Sequence, residues 1–271
     1  FEYTLFALPC AVVGALLAAQ GIPKAHDIFW IILAVVGARN IALGLNRLID
    51  REIDKANPRT AHWPMPRGLV SAGEMIIFIL ASLGLLVTAT LQLHPLCLYF
   101  LPLVLFILFS YSYMKRFSWL CHLVLGLALA WAPLGSWIAI RGTLEITPFL
   151  LGLGVMFWIA GFDTIYACLD IKFDQQQGLY SIPACFGLAA GLAVPTLSHL
   201  LALLLFLMVG LTAKLGILYY LGIFISGSIL AYQHSLVSLK DLSQINSRFF
   251  SLNKIVSLII FGFTLLDILN R

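Results

Sequence analysis

The sequence predicts an all-α, polytopic membrane protein in which nine transmembrane helices form one bundle, a single domain over residues 1–271. Of its residues, 61% are hydrophobic and only 10% are charged, whereas a soluble domain carries about 25% charged residues. Apolar runs long enough to cross a bilayer as helices recur through the chain. Because hydrocarbon offers the backbone no hydrogen-bond partners, these runs should be helices rather than strands.

Polar, Pro-containing or Gly-containing breaks divide the chain into the nine predicted spans. In order, these are residues 4–20, 28–48, 73–91, 95–113, 120–139, 146–168, 188–211, 215–235 and 253–270. The breaks are short except for 50–72, 169–187 and 236–252. Acid-rich stretches follow the second and the sixth spans, four helices apart, which hints at a duplicated helical unit.

The basic residues predict the orientation of the bundle. With the N-terminus inside, eleven fall on the cytoplasmic side: Arg47, Arg51, Lys55, Arg59, Arg67, Lys115, Arg116, Lys172, Lys240, Arg248 and Lys254. Four fall outside: Lys24, Arg141, Lys214 and Arg271. Since cytoplasmic loops are enriched in Lys and Arg, both acid-rich stretches should face the cytoplasm. The net charge of +4 is explained by these loops, so we expect a lipid bilayer as partner and no nucleic acid.

The two acid-rich stretches hold six of the twelve acids of the chain: Asp50, Glu52, Asp54, Asp163, Asp170 and Asp174. Asn46, Asp50 and Asp54 are spaced i, i+4, i+8, so on a helix each step turns only about 40° and all three share one face. The second stretch spaces its aspartates at i, i+7, i+11, again on one face. Such dense carboxylates repel one another unless cations intervene.

Hard oxygen ligands without His or Cys favour Mg²⁺ over zinc. The five cysteines form no CxxC pair and the six histidines no HxxxH pair, which argues against a disulfide framework or a His-based metal site. Basic residues beside both stretches would suit an Mg²⁺-bound diphosphate. One alternative is a solvated loop whose charges only set the topology. Another is a transporter or channel that binds cations through its acids, although these acids lie at helix ends rather than near the midplane.

Three motifs together resemble the UbiA superfamily of intramembrane prenyltransferases. Its first motif is matched by N-x-x-x-D-x-x-x-D at Asn46, Asp50 and Asp54. Its second is matched by D-x-x-Y-x-x-x-D-x-x-x-D at Asp163, Tyr166, Asp170 and Asp174. YSYMKRFSWL is similar to the family's Y-x-x-x-K element, with Tyr111, Lys115 and Arg116. A CDP-alcohol phosphotransferase should show a DG…AR run before its acids, and the chain has none.

The resemblance implies a helical bundle around a central cavity and an enzyme, a polyprenyltransferase of quinone biosynthesis, in a bacterial inner membrane. It implies that a polyprenyl diphosphate donates its chain to an aromatic acid of the 4-hydroxybenzoate or dihydroxynaphthoate type. The implied Mg²⁺ ligands are Asn46, Asp50, Asp54, Asp170 and Asp174. Lys115, Arg59 and Arg116 would contact the diphosphate. Asp163, as base or orienting group, would lie with Tyr166 and Tyr111 near the acceptor and the reacting carbon.

Two loop positions depart from the family's pattern. WPMPRG has Trp63 where many relatives carry arginine, and Tyr180 stands where many 4-hydroxybenzoate enzymes carry lysine. Both changes remove a cation from loops over the site, which favours the menaquinone branch. A carboxylate entering a low-dielectric cavity still needs a partner, and we expect Arg67 to supply it.

Overall fold

A computed structural model describes residues 4–239, 242, 245 and 247–271. Those residues form eleven α-helices and contain no strand. The helices are α1 Thr4–Ala19, α2 Ala25–Ile49, α3 Arg51–Ala56, α4 Ala72–Leu91, α5 Pro95–Met114, α6 Cys121–Arg141, α7 Ile146–Ala167, α8 Ile171–Gln177, α9 Ile182–Thr212, α10 Ile217–Ser235 and α11 Ser247–Leu269. A 3₁₀ turn, Cys168–Asp170, joins α7 to α8. Lys240, one of the basic residues used for the orientation, lies outside the described residues.

Each of the nine predicted spans coincides with one long helix. Within the described ranges, seven helices are long and apolar enough to cross a membrane: α2, α4, α5, α6, α7, α9 and α11. Helix α1 has 16 residues, about 24 Å against a hydrocarbon core of about 30 Å. Helix α10 is diluted by polar residues such as Gln233 and His234. The chain is therefore an integral membrane protein, and a full set of nine spans stays a prediction.

Helix α7 lies at the centre of the bundle, packed against α6 and α9. Most of its residues are buried, with Trp158 at 0% exposure. Small residues allow the close approach, as membrane helix packing requires: a Cβ on Gly154 would meet the Phe206 ring at 2.5 Å, and one on Gly161 would meet His199 at 2.6 Å. A second group of helices, α2, α4 and α5, packs beside this centre. The central cavity lies between the two groups.

The two acid-rich stretches are not continuous helices. Helix α2 ends at Ile49 and α3 starts at Arg51, with Asp50 between them at φ −93°, ψ 5°. Asp170 stands before α8 at φ −105°, ψ 7°. Both middle aspartates thus adopt the bridge conformation, in which many active-site residues are found. The spacing nevertheless works as predicted, because Asp50 N still bonds Asn46 O at 2.9 Å and Asp54 N bonds Asp50 O at 2.8 Å. Both stretches share a long helix, a break at an aspartate and a short helix, while the hinted duplication stays a prediction.

Helix α9 begins earlier than its predicted span. Ser181 caps it by accepting from Ala184 N at 3.2 Å, and a kink follows at Gly187, whose φ of 82° suits glycine. Five helical residues, 182–186, precede the kink, and they follow Ser181, which lines the cavity. This cap matters for the site, because Ser181 donates to Asp174 and the backbone N–H of Ile182 contacts His122, which in turn contacts Asp163.

Candidate active site

A cavity of about 470 Å³ runs from the acid-rich helix ends into the bundle. Its deep part is lined by apolar side chains of α2, α5 and α6, among them Ala38, Val104 and Trp131. Its mouth is lined by the acids and bases of the two acid-rich stretches. The cavity therefore joins a strongly polar end to an apolar tunnel, a shape suited to an amphiphilic substrate.

Asp50 is the most deeply buried acid of the mouth, with 1% of its surface exposed. Its Oδ2 lies 2.6 Å from Lys115 Nζ and accepts from Asn46 Nδ2 at 2.8 Å. Arg116 Nη1 lies 2.9 Å from Oδ1, yet its N–H is not directed at that oxygen, which accepts no hydrogen bond from the described residues. Arg116 itself donates to the carbonyls of Ser112 and Ile49, both at 3.0 Å. The carboxylate is thus charge-balanced by two cations, and its Oδ1 is held by the charge of Arg116 without a hydrogen bond.

Asp54 is held by Arg47, whose Nη1 lies 3.4 Å from Oδ2. Burial raises the pKa of the Asp54 carboxyl, while Arg47 and Lys115 act in the opposite direction. The Arg47 guanidinium also stacks on the Trp63 ring, 3.4 Å from its centroid, a cation–π contact. Trp63 therefore has a defined role at the mouth: it fixes the cation that faces Asp54.

Asp170 brings the two acid-rich stretches together. Arg59 reaches it with two nitrogens, Nε at 3.1 Å from Oδ1 and Nη2 beside Oδ2, and Asn57 Nδ2 donates to Oδ1 at 3.3 Å. A two-pronged arginine contact fixes geometry as well as charge. Asp174 contacts a neutral partner instead, since Ser181 Oγ donates to its Oδ2 at 3.1 Å.

Asp163 lies deeper, on α7, with 36% of its side chain exposed toward the cavity. His122 Nδ1 lies 2.7 Å from its Oδ2. The rings of Tyr166 and Tyr111 also line the cavity. This group stands where the polar mouth gives way to the apolar part.

Ten of the twelve side chains singled out from the sequence line this one cavity: Asn46, Asp50, Asp54, Arg59, Tyr111, Lys115, Asp163, Tyr166, Asp170 and Asp174. Arg116 supports Asp50 without lining the cavity. Arg67 is exposed and lies outside the cavity wall. Across the described ranges, no three His, Cys, Asp or Glu side chains are grouped closely enough to hold a metal ion. The acids instead contact Lys115, Arg47 and Arg59.

Several lining residues escaped the sequence reasoning. Arg39 lies inside a span and lines the cavity, and its charge at membrane depth was a signal of function. Asn57 and His122 line it too. A lone asparagine in a loop and a lone histidine in an apolar run gave no signal, because their partners are distant in sequence.

The profile of the UbiA prenyltransferase family matches residues 7–255 of the chain. The chain belongs to the UbiA prenyltransferase family. This UbiA protein is 34% identical over 233 residues to the 4-hydroxybenzoate octaprenyltransferase of Vibrio cholerae serotype O1, covering 83% of this chain and 79% of the relative. It is 30% identical over 249 residues to the enzyme of that name from Yersinia pseudotuberculosis, covering 90% and 84%.

Solved structures share its fold. The apo structure of a UbiA homolog from Aeropyrum pernix K1 superposes with a TM-score of 0.89 at 32% identity, covering 98% of both chains. A UbiA homolog from Archaeoglobus fulgidus bound to GPP and Mg²⁺ superposes with a TM-score of 0.74 at 18% identity, covering 98% of this chain and 95% of that one. The family excludes the transporter and phosphotransferase alternatives, and the protein is a UbiA-family prenyltransferase.

Proposed function

We propose that this enzyme transfers a polyprenyl chain from a polyprenyl diphosphate to the ring of an aromatic acid, in the biosynthesis of a quinone. One observation carries the proposal: a cluster of acids and bases stands at the mouth of a long apolar cavity. The diphosphate would occupy the charged mouth and the isoprenoid chain the apolar part. Burying that chain is favourable by about 0.8 kcal/mol per CH₂ group.

The donor set suits Mg²⁺. Asn46, Asp50 and Asp54 on one side and Asp170 and Asp174 on the other offer only oxygen, the ligand that Mg²⁺ takes, and Asp50 Oδ1 has no hydrogen bond to give up. When bound, the ion would neutralise the charge that develops on the departing diphosphate. Lys115 and Arg59 contact Asp50 and Asp170 in this structure. With both substrates bound, these two side chains would contact the diphosphate oxygens, and the carboxylates would bind Mg²⁺ in their place.

The reaction then balances as follows. The bond between the prenyl C1 and the diphosphate oxygen breaks, and its electron pair leaves with the diphosphate. A ring carbon of the acceptor forms the new bond to C1, and the proton on that ring carbon departs to a base, for which Asp163 is placed at the wall of the cavity. Lys115 and Arg59 supply preorganised positive charge where the leaving group forms. Departure of the diphosphate leaves positive charge on the allylic prenyl group. The apolar wall excludes the water that would otherwise react with this prenyl cation.

The carboxylate of the acceptor needs a cation inside the cavity. The sequence suggested Arg67, but Arg67 is exposed and does not line the wall. Arg39 does, seven residues before Asn46 on the same helix, which is about 10 Å deeper at 1.5 Å per residue. We therefore assign the acceptor carboxylate to Arg39.

We favour 4-hydroxybenzoate as the acceptor, since the curated relatives carry that name. The argument for dihydroxynaphthoate rested on cations missing at Trp63 and Tyr180. Trp63 is engaged with Arg47, and Tyr180 docks its loop by donating its backbone N–H to Lys115 O at 2.7 Å. Neither position therefore needs to carry a cation for the site to bind an acid.

The test is a product assay with purified protein in lipid nanodiscs. Polyprenyl diphosphates of several lengths are offered with 4-hydroxybenzoate, dihydroxynaphthoate or benzoate, and products are identified by mass spectrometry. We expect a prenylated 4-hydroxybenzoate whose formation stops in EDTA and returns with Mg²⁺. The absence of any prenylated acid, or full turnover in EDTA, would contradict the proposal.

We also propose that the charged mouth faces the cytoplasm of a bacterial plasma membrane, from the eleven basic residues against four. Single cysteines placed at the exposed Gln176 and at Ile22, at the opposite ends of the bundle, form a matched pair. In intact cells an impermeant maleimide should label Ile22→Cys and spare Gln176→Cys. The reverse labelling would overturn the orientation.

A further inference from the structure

His122 connects three helices through one buried ring. It is the second residue of α6, with 3% of its surface exposed. Its Nδ1 lies 2.7 Å from Asp163 Oδ2 on α7, and the backbone N–H of Ile182, at the start of α9, is 3.3 Å from its Nε2. The three motifs quoted from the sequence do not include this residue, and the mechanism above does not use it.

The two contacts determine which nitrogen carries the proton. A backbone N–H can only donate, so Nε2 must present its lone pair to Ile182. A neutral imidazole then carries its proton on Nδ1, and that proton is donated to Asp163. In a doubly protonated ring, the Nε2–H group would face the backbone N–H of Ile182, and two donors would be opposed. The backbone of α9 thereby fixes the tautomer, and the tautomer fixes Asp163 as a hydrogen-bond acceptor.

We propose that His122 is a positioning residue: it holds one carboxylate oxygen of Asp163, so that the other oxygen is presented to the acceptor ring. This rests on the proposed function, in which Asp163 receives the ring proton. It also ties the base to the loop over the mouth, because Ile182 follows Ser181, which donates to Asp174. A histidine that only filled space would need neither contact.

The test uses a matched pair of full-length variants. Glutamine keeps a donor and an acceptor at its tip, whereas methionine has a similar length and neither. We expect His122→Gln to retain kcat within about fivefold and His122→Met to lower kcat about ten- to a hundredfold, less than the roughly 10²–10⁴-fold that proton transfer contributes, because Asp163 itself remains. The KM for the prenyl diphosphate should change less than about twofold in both, because Ser181 keeps its own hydrogen bond to Asp174 at the diphosphate end.

A double-mutant cycle separates positioning from structural support. If His122 acts through Asp163, His122→Met should cost little in an Asp163→Asn background, since interacting sites are non-additive. Equal losses in both backgrounds would overturn the proposal. So would a His122→Gln variant that is folded, with an unchanged Tm, and as slow as His122→Met.

A spectroscopic readout keeps the proposal testable apart from turnover. In ¹⁵N-histidine-labelled enzyme, the signals lost in His122→Gln identify this ring. We expect a Nδ1–H tautomer whose proton signal moves in Asp163→Asn. A Nε2–H tautomer, or a signal indifferent to Asp163→Asn, would refute the contact. If the wild type formed no prenylated acid, the proposed function would fail, while this label would still decide whether His122 holds Asp163.

Discussion

The two acid-rich stretches share a backbone plan but differ in how their charges are balanced. Each has a long helix, a break at a middle aspartate and a short helix. In the first stretch, Asp50 contacts Lys115 and Arg116, and Asp54 contacts Arg47.

In the second stretch, the side chains that contact the aspartates are neutral or come from the first stretch. Asp174 has the Ser181 hydroxyl, Asp163 has His122, and Asp170 depends on Arg59 from the first stretch. Asp50 and Asp54 of the first stretch therefore face three cations, whereas in the second stretch Asp170 is paired with one arginine and the other two acids with neutral groups, which leaves excess negative charge. We infer that the second side has the greater need of Mg²⁺, and that the first side supplies the cations that receive the diphosphate.

The largest expected effect comes from removing one acid on each side. Asp50→Ala and Asp174→Ala should each lower turnover by a factor of about a thousand or more, because both remove an oxygen from the implied metal site. Their stabilities should differ. Asp50→Ala leaves Lys115 and Arg116 facing each other in a buried site, and breaking such a pair costs about 3–5 kcal/mol.

Asp174→Ala loses only one hydrogen bond, from the Ser181 hydroxyl, worth about 1 kcal/mol. Thermal unfolding in the same detergent measures the contrast, with Asp50→Asn as the variant closest in shape. A lower Tm for Asp174→Ala than for Asp50→Ala would show that the comparison between the stretches is wrong.

An intermediate effect is expected from Arg59, a cation of the first stretch that contacts Asp170 of the second. Arg59→Lys keeps the charge but loses the two-pronged contact with Asp170, and the two side chains are not equivalent at such a site. The KM for the prenyl diphosphate should rise about tenfold, with the acceptor KM nearly unchanged. Arg51→Lys is the control, because Arg51 is exposed and contacts only its neighbour Glu52, at 3.3 Å. If both variants shifted the KM equally, Arg59 would have no special role.

Hydropathy predicted the nine long helices, because each follows from the composition of one segment. Spacing and the family resemblance together singled out twelve side chains, and ten of them line the cavity. The breaks at Asp50 and Asp170 could not be read this way. A helix interrupted at one residue keeps the same i, i+4 spacing in the sequence. At each break the aspartate contacts a side chain that is distant in sequence, Lys115 for Asp50 and Arg59 for Asp170. Likewise, His122 gains its meaning from Asp163, 41 residues away. Arg67 shows the opposite error, since a basic residue in the right loop lies outside the wall.

The most selective effect, confined to one substrate and reversed at saturation, should separate Arg39 from Arg67. Arg39 lines the cavity two turns below Asn46, whereas Arg67 lies at the exposed end of a loop. If Arg39 binds the acceptor carboxylate, Arg39→Gln should raise the KM for 4-hydroxybenzoate about tenfold or more. That loss belongs to ground-state binding, so saturating acceptor should restore most of kcat. Arg67→Ala should shift this KM by less than about twofold, because an exposed charge at a loop is screened by water and salt. The prenyl diphosphate KM should change little in either variant. If Arg67→Ala raised the acceptor KM strongly and Arg39→Gln did not, Arg67 of the loop, and not Arg39, would be the partner of the acceptor carboxylate. It would then mean that the segment over the mouth closes onto the acceptor during binding.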